Sequence, residues 1–234
     1  MLSVFDLFDA GTLDLDLAAY LMARISRGAS FMVGAVPGGA GKTTVMCALL
    51  NFVPVDVPLI AATAQAVYRA ADTQSPHRCC YICHEIGAGS YFAYLWADAL
   101  QTYCKLSEAG HMLATNLHAD NLEQARDQVC GDNDVPIEHF NRFELLTFLS
   151  VEDGYFKAHR RIEEVYSSDG SSEHTLIFRA SDSKTITEDA RDHSVDPAYV
   201  RACRDFLKTM APTICTIEDA RVHVVEFLRQ NPTG

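Results

Sequence analysis

Apolar positions along the chain alternate between helical spacing and short unbroken runs, and the switches mark out elements. Over residues 3–27 they recur every three or four positions, broken at Gly11. Residues 30–33 read as a short strand leading into VGAVPGGAGKTT at 33–44. Beyond Lys42, the side chains of Val45, Met46, Leu49 and Leu50 share one helical face, and Asn51 and Pro54 close that helix. VDVPLIAAT predicts a strand, and AQAVYRAADTQSPH a short helix and a loop. Residues 79–83 form an apolar run of strand length, as a strand covered on both faces of a parallel sheet would, ending in His84-Glu85. Gly87, Gly89 and Ser90 predict a turn and an N-cap. Residues 91–108 then predict a long helix, with Phe92, Leu95, Trp96, Ala99 and Tyr103 along one side and Gly110 at its end. HMLAT is the next strand and TNLHADN the loop after it. Asn121 with Gln124 reads as a capping box for a helix through Val129.

Strands and helices alternating in this way imply right-handed βαβ units around a mostly parallel sheet. The pattern then changes. Residues 143–151, 155–166 and 174–180 are β-rich and separated by Asp153-Gly154 and Asp169-Gly170, which predicts an antiparallel meander extending the sheet. Polar residues 181–193 read as a loop. Residues 196–230 predict two helices, the second capped by Thr216-x-x-Asp219. The expected class is α/β, with the main domain over residues 1–180 and a helical subdomain over 181–234.

Composition narrows the function classes. A chain of 234 residues with 48% hydrophobic content is ordinary for one α/β domain. The 19 basic and 31 acidic residues leave a net charge of −12, which argues against nucleic acid or anionic lipid as a non-specific partner. The hydrophobic start carries acids where a secretion signal needs bases, and no apolar run approaches the roughly 20 residues that span a bilayer. A cytoplasmic protein is expected. The 8 cysteines are scattered. Cys80 and Cys83, flanked by His77 and His84, lack a second ligand pair, and a strand sends residues three apart to opposite faces. They are read as buried free thiols.

The chemistry lies in the glycine-rich stretch. A phosphate-binding loop follows G-x-x-x-x-G-K-[ST], wrapping phosphate in backbone N–H groups while Lys neutralises charge and the hydroxyl meets Mg²⁺. Gly41, Lys42 and Thr43 fit its end, between a strand and a helix as required. Val36 stands where the first glycine belongs, with Gly38 and Gly39 left to supply flexibility. Ligands of open α/β sheets bind beyond the carboxyl ends of the strands. The loop, Glu85 and His118 all fall there, an acid and a histidine suited to Mg²⁺ and to a terminal phosphate.

Taken together, these residues resemble the motor domain of the type II/type IV secretion ATPases, above all their archaeal-like branch. The likeness runs through DLFDAGTLDLDLAAYLMARI, GGAGKTTVMCALLNFVP, the strand YICHEI, the histidine-box-like EAGHMLATNLHADNLEQA, the DG-linked strands and the paired terminal helices. It implies a RecA-like P-loop fold for residues 1–180. It implies ATP held by Gly38, Gly39, Ala40, Gly41, Lys42, Thr43 and Thr44, with Mg²⁺ on Thr43 and Glu85. Glu85 and His118 would be catalytic, as the Walker B carboxylate and the histidine-box contact. It further implies a homo-oligomeric, hexameric ring working on a membrane-embedded secretion or pilus platform, peripheral at the inner face of the membrane. Several features depart from the family. Ile60-Ala61-Ala62-Thr63 stands where its acidic box carries two carboxylates, and Arg69 and Arg78 are the only arginines between there and Glu85. The family's separate N-terminal domain has no counterpart in these residues. Thr216-Ile-Glu-Asp219 spells the acidic box but reads as a helix cap.

Three functions follow as expectations. The first is a motor ATPase coupling hydrolysis to secretion or filament assembly. The second is a degenerate nucleotide-binding paralogue acting as a regulatory or assembly subunit. The third, a phosphate-transferring kinase, lacks an arginine-rich lid and ranks last.

Overall fold

The fold is described from a computed structural model, over residues 2–36, 38–73, 77–152, 159–182, 186, 195–211 and 216–232. Two helices open it: α1 (Val4–Asp9), with Ser3 and Asp6 capping reciprocally, and α2 (Leu15–Ile25), capped by Asp14. The core elements follow as β1 (Phe31–Gly34), α3 (Lys42–Leu50), β2 (Leu59–Ala61), α4 (Ala64–Thr73) and β3 (Cys80–Ile86). Next come β4 (Tyr94–Leu95), α5 (Ala97–Lys105), β5 (Met112–Leu117), α6 (Leu122–Arg126) and α7 (Ile137–Asn141). The chain closes with β6 (Leu145–Glu152), β7 (His159–Ser167), β8 (Thr175–Arg179), α8 (Pro197–Met210) and α9 (Ile217–Gln230).

The strands form one sheet in the order β2-β3-β5-β1-β6-β7-β8, with β4 pairing the end of β3. Pairs from β2 to β6 are parallel, and β7 and β8 return antiparallel. The expected α/β architecture, a mostly parallel sheet extended by a meander, is thus observed. Alternation along β3 divides the core. Cys80 packs with α1, α2, α3, α8 and α9 on one face, and Tyr81 and Cys83 with α4 to α7 on the other. Burial pushes both Cys80 and Cys83 thiols up to about 12. Each is an inert core side chain on its own face of the sheet.

Several local expectations need correction. The helix expected over residues 91–108 begins only at Ala97, with Trp96 rather than Ser90 before it. Ala93 takes a positive φ of 54°, which the interior of a right-handed helix does not allow, and the turn into α5 at Ala97 has φ 49°. The reason is a pairing need. β2 ends at Ala61, so the outer edge of β3 lies bare beyond Ile82. The chain after the glycine turn fills it, Ala93 accepting from the His84 N–H and Leu95 from that of Gly87. Both β3 and β5 also run further than expected, to Ile86 and Leu117, because each finds a partner there. The Asn121 side chain caps α6 from Gln124 N–H, but the Gln124 amide oxygen accepts from Asp120 rather than closing a box. α7 was not expected. The Asp169-Gly170 turn is not a two-residue hairpin: β7 and β8 are joined over residues 168–174, where Asp169 accepts from Ser171 and Ser172. Asp153-Gly154, Cys215 and most of the loop at 181–193 lie outside the described residues.

The two terminal helices bury Cys203, Leu207, Val224 and Phe227 in the same cluster as α1 and α2. Thr216 accepts from the Asp219 N–H at 3.0 Å, so the displaced acidic-box spelling is a helix cap.

Candidate functional site

Three neighbouring strands, β3, β5 and β1, bring their carboxyl ends to one edge of the sheet. The phosphate-like loop leaves β1 with Gly39 at φ 78° and Gly41 at φ 96°. Only glycine holds that left-handed backbone without strain, and such turns gather successive N–H groups toward one point. α3 starts at Lys42, so its free N–H groups face the same place.

Lys42 is buried, and its Nζ donates to the Ala35 carbonyl at 3.1 Å. It also lies 3.3 Å from Glu85 Oε1 and 3.3 Å from His118 Nδ1. The remaining ring nitrogen, His118 Nε2, is 3.3 Å from the same Glu85 oxygen. Nδ1 thus faces the Lys42 ammonium and, at 3.4 Å, the Val36 carbonyl, while Nε2 faces the Glu85 carboxylate. The three groups predicted from loop, strand end and histidine box therefore meet in one triangle. Glu85 is buried and His118 half exposed. Among the described residues no aligned hydrogen bond reaches Glu85 Oε1, which lies 3.3 Å from both Lys42 and His118. That buried oxygen is open to a further cationic partner.

Thr43 is exposed beside the triangle, its hydroxyl 3.5 Å from Asn116 Nδ2, which donates to the His84 carbonyl at 2.8 Å. A hydroxyl with a neighbouring carboxylate is an oxygen donor set suited to Mg²⁺, an ion that keeps several waters and leans on phosphates for the rest. On that chemistry the residues fit the group.

Val36, in place of the opening glycine, lies outside the left-handed region and is 48% exposed. Its N–H donates to Asp120 Oδ1 at 2.6 Å, so the histidine-box loop clamps the phosphate loop. Gly34 is the glycine that matters at this crossing: a Cβ there would sit 2.6 Å from the Ala119 carbonyl oxygen. Gly38 has open space around it. Beyond Gly41 and Thr44 lies a cavity of about 330 Å³, walled by Leu2, Leu7 and Ala10 and by Arg160 of β7.

The acidic-box position is filled by core and cap instead. Ala62 is fully buried against Val67, and Thr63 Oγ1 accepts from Ala66 N–H at the start of α4. Arg69 is exposed on α4, and Arg78 reaches Gly28 at the amino edge of the sheet, away from Lys42. Sequence reasoning did not find Asn116, Asp120 or Arg160. The first two lie within the histidine-box stretch, two residues to either side of His118, which was the available signal.

The sequence matches no family model and no curated protein. Solved structures do share the fold. The VirB11 ATPase of the Brucella suis type IV secretion system, solved with sulphate, aligns with a TM-score of 0.50 at 17% identity, over 69% of this chain and 54% of that one. The ATPase DotB of Yersinia pseudotuberculosis gives 0.45 at 12% identity, over 94% and 62%. DotB of Legionella pneumophila gives 0.41 at 12%, over 86% and 58%. The chain thus spans 54% to 62% of the length of these structures. The sequence-level likeness to secretion ATPases is matched by the fold.

Proposed function

We propose that this chain, built on the fold of secretion ATPases, is a nucleotide-binding protein that takes Mg-ATP on the loop at residues 38–44. The observation that carries the reading is the Lys42–Glu85–His118 triangle, closed to 3.3 Å on each side at the edge where three strands end. Gly38, Gly39, Ala40 and Gly41 would cradle phosphate with backbone N–H groups, and Lys42 would neutralise it. Thr43 and Glu85 would hold Mg²⁺, which when bound draws charge off the terminal phosphoryl oxygens. Glu85 would orient the attacking water, and His118, already facing both partners, would meet the terminal phosphate. Thr44 lines the cavity of about 330 Å³ beside the loop, where the rest of a nucleotide would lie.

The motor reading goes further: a homo-oligomeric, hexameric ring, cytoplasmic and peripheral at the membrane, spending ATP on secretion or pilus assembly with an embedded platform protein. The negative charge favours protein partners over nucleic acid. The second reading, a slow or silent nucleotide-binding subunit, is favoured by Ala62 and by Arg78. No carboxylate stands at the acidic-box position, and Arg78 of that segment reaches the opposite edge of the sheet. Groups placed on the terminal phosphate are worth orders of magnitude in rate, so turnover by the chain alone should be slow unless a partner chain supplies them.

Phosphate release with Mg-ATP, measured beside nucleotide affinity, tests both. Lys42→Ala should abolish binding; unchanged affinity would sink the loop reading. Glu85→Gln should keep binding and lose turnover by about a hundredfold or more. A wild type that binds ATP and releases no phosphate would select the second reading.

A further inference from the structure

β7 runs antiparallel to β6, so it starts where β6 ends, on the same edge as the phosphate-like loop. Its second residue, Arg160, reaches that loop across the sheet: Nε donates to the Gly39 carbonyl oxygen at 3.0 Å. Its Cδ would stand 3.3 Å from a Cβ at Gly41, close enough that the loop and the arginine stem are in contact. The next residue behaves otherwise. Arg161 is bound at 2.8 Å to Glu152 and at 2.8 Å to Glu163. Arg160 meets no carboxylate among the described residues, so its charge is left to the loop.

We propose that Arg160 is a positioning residue for the phosphate loop, holding it from outside and adding a positive charge in place of the arginines missing after β2. This rests on the nucleotide reading above. In a loop that turns its N–H groups inward, the carbonyls face out, and Gly39 presents one of them to the guanidinium. A cation on a carbonyl polarises that peptide and makes its N–H, on Ala40, a stronger donor to whatever lies inside. The same contact pins the left-handed turn at Gly39, so less order is lost when phosphate enters. Arg78, at the far edge, can do neither. The antiparallel return of β7 beside β6 brings a cation to this side of the loop.

The contact lies against the middle of the loop, which cradles inner phosphates, so ADP and ATP should feel it alike. The experiment measures Mg-ADP and Mg-ATP affinity of the whole chain for wild type, R160A and R160K, together with the thermal midpoint without nucleotide. R160A is expected to weaken both nucleotides by the same factor, about tenfold, with R160K recovering part and the midpoint unchanged. Equal affinities in wild type and R160A would overturn the proposal and leave the nucleotide reading standing. A loss confined to ATP would overturn it as well, by putting the guanidinium on the terminal phosphate. A lowered midpoint that R160K does not restore would make the contact a packing effect and overturn it too. No binding by the wild type would remove both readings together.

Discussion

Val36 exposes its side chain and gives both backbone groups to the histidine-box loop, its N–H bonded to Asp120 and its carbonyl 3.4 Å from His118. Nothing in that arrangement needs a glycine. Val36→Gly should therefore leave Mg-ATP affinity within about twofold, since a surface change away from strain costs little. Gly34→Ala should do the reverse. Its methyl would press on the Ala119 carbonyl and the Phe148 ring at 2.6 and 2.7 Å, an overpacking worth about 1–3 kcal/mol. Thermal melting and a nucleotide titration of both variants check this, and a large loss from Val36→Gly would restore the opening glycine to importance. Glu85 and His118 were legible because each sits at a strand end, where the carboxyl edge alone decides its place, and Lys42 because it opens a helix straight after a glycine-rich loop. Asn116, Asp120 and Arg160 were not, because their roles depend on which strands lie side by side. Spacing along the chain does not carry that.

Elements went astray for a related reason. Phe92, Leu95, Trp96, Ala99 and Tyr103 do recur at helical spacing, yet Tyr94 and Leu95 serve as strand because β2 is too short to cover β3. A partner's length cannot be read from the segment that compensates for it. Asn133 fixes the result by accepting the Ala97 N–H at 2.7 Å, capping α5 from 36 residues away. The short α7 escaped because five residues give no periodicity to detect. Where the determinant is local, the reading holds. Thr216 caps α9 through Asp219 N–H, as the T-x-x-D spacing requires. Thr216→Ala should cost about 1 kcal/mol, lowering the thermal midpoint by roughly 2–4 °C. Nucleotide affinity and turnover should stay as they were. A loss of turnover there would instead make the sequence a working acidic box.

Among the described residues, two histidines are locked into the fold with depressed proton affinity. His111 is buried and accepts from the Cys79 N–H at 3.1 Å, and burial, with Arg78 nearby, lowers it from the ordinary 6.5. Burial also lowers His174, whose Nε2 donates to the Phe143 carbonyl at 2.7 Å and offsets part of the effect. Each ring takes its proton at higher pH when unfolded than when folded. The stability they contribute is therefore complete above about pH 6.5 and falls as pH drops through the folded values. Urea midpoints should be lower at about pH 5.5 than at about pH 7.5, and the gap should narrow in the double variant H111Q/H174Q. A gap of the same size in that variant would place the acid sensitivity elsewhere.

The order of the strands has a consequence in time as well. β1, which carries the phosphate loop, is made before both of its neighbours, β5 and β6, which lie 83 and 114 positions later in register. A chain emerging from the ribosome holds the loop and its helix long before either neighbour exists. Until Phe148 has been synthesised, β1 has at least one bare edge. The long loops that must close first slow this step, so the phosphate loop is made well before the strands that frame it.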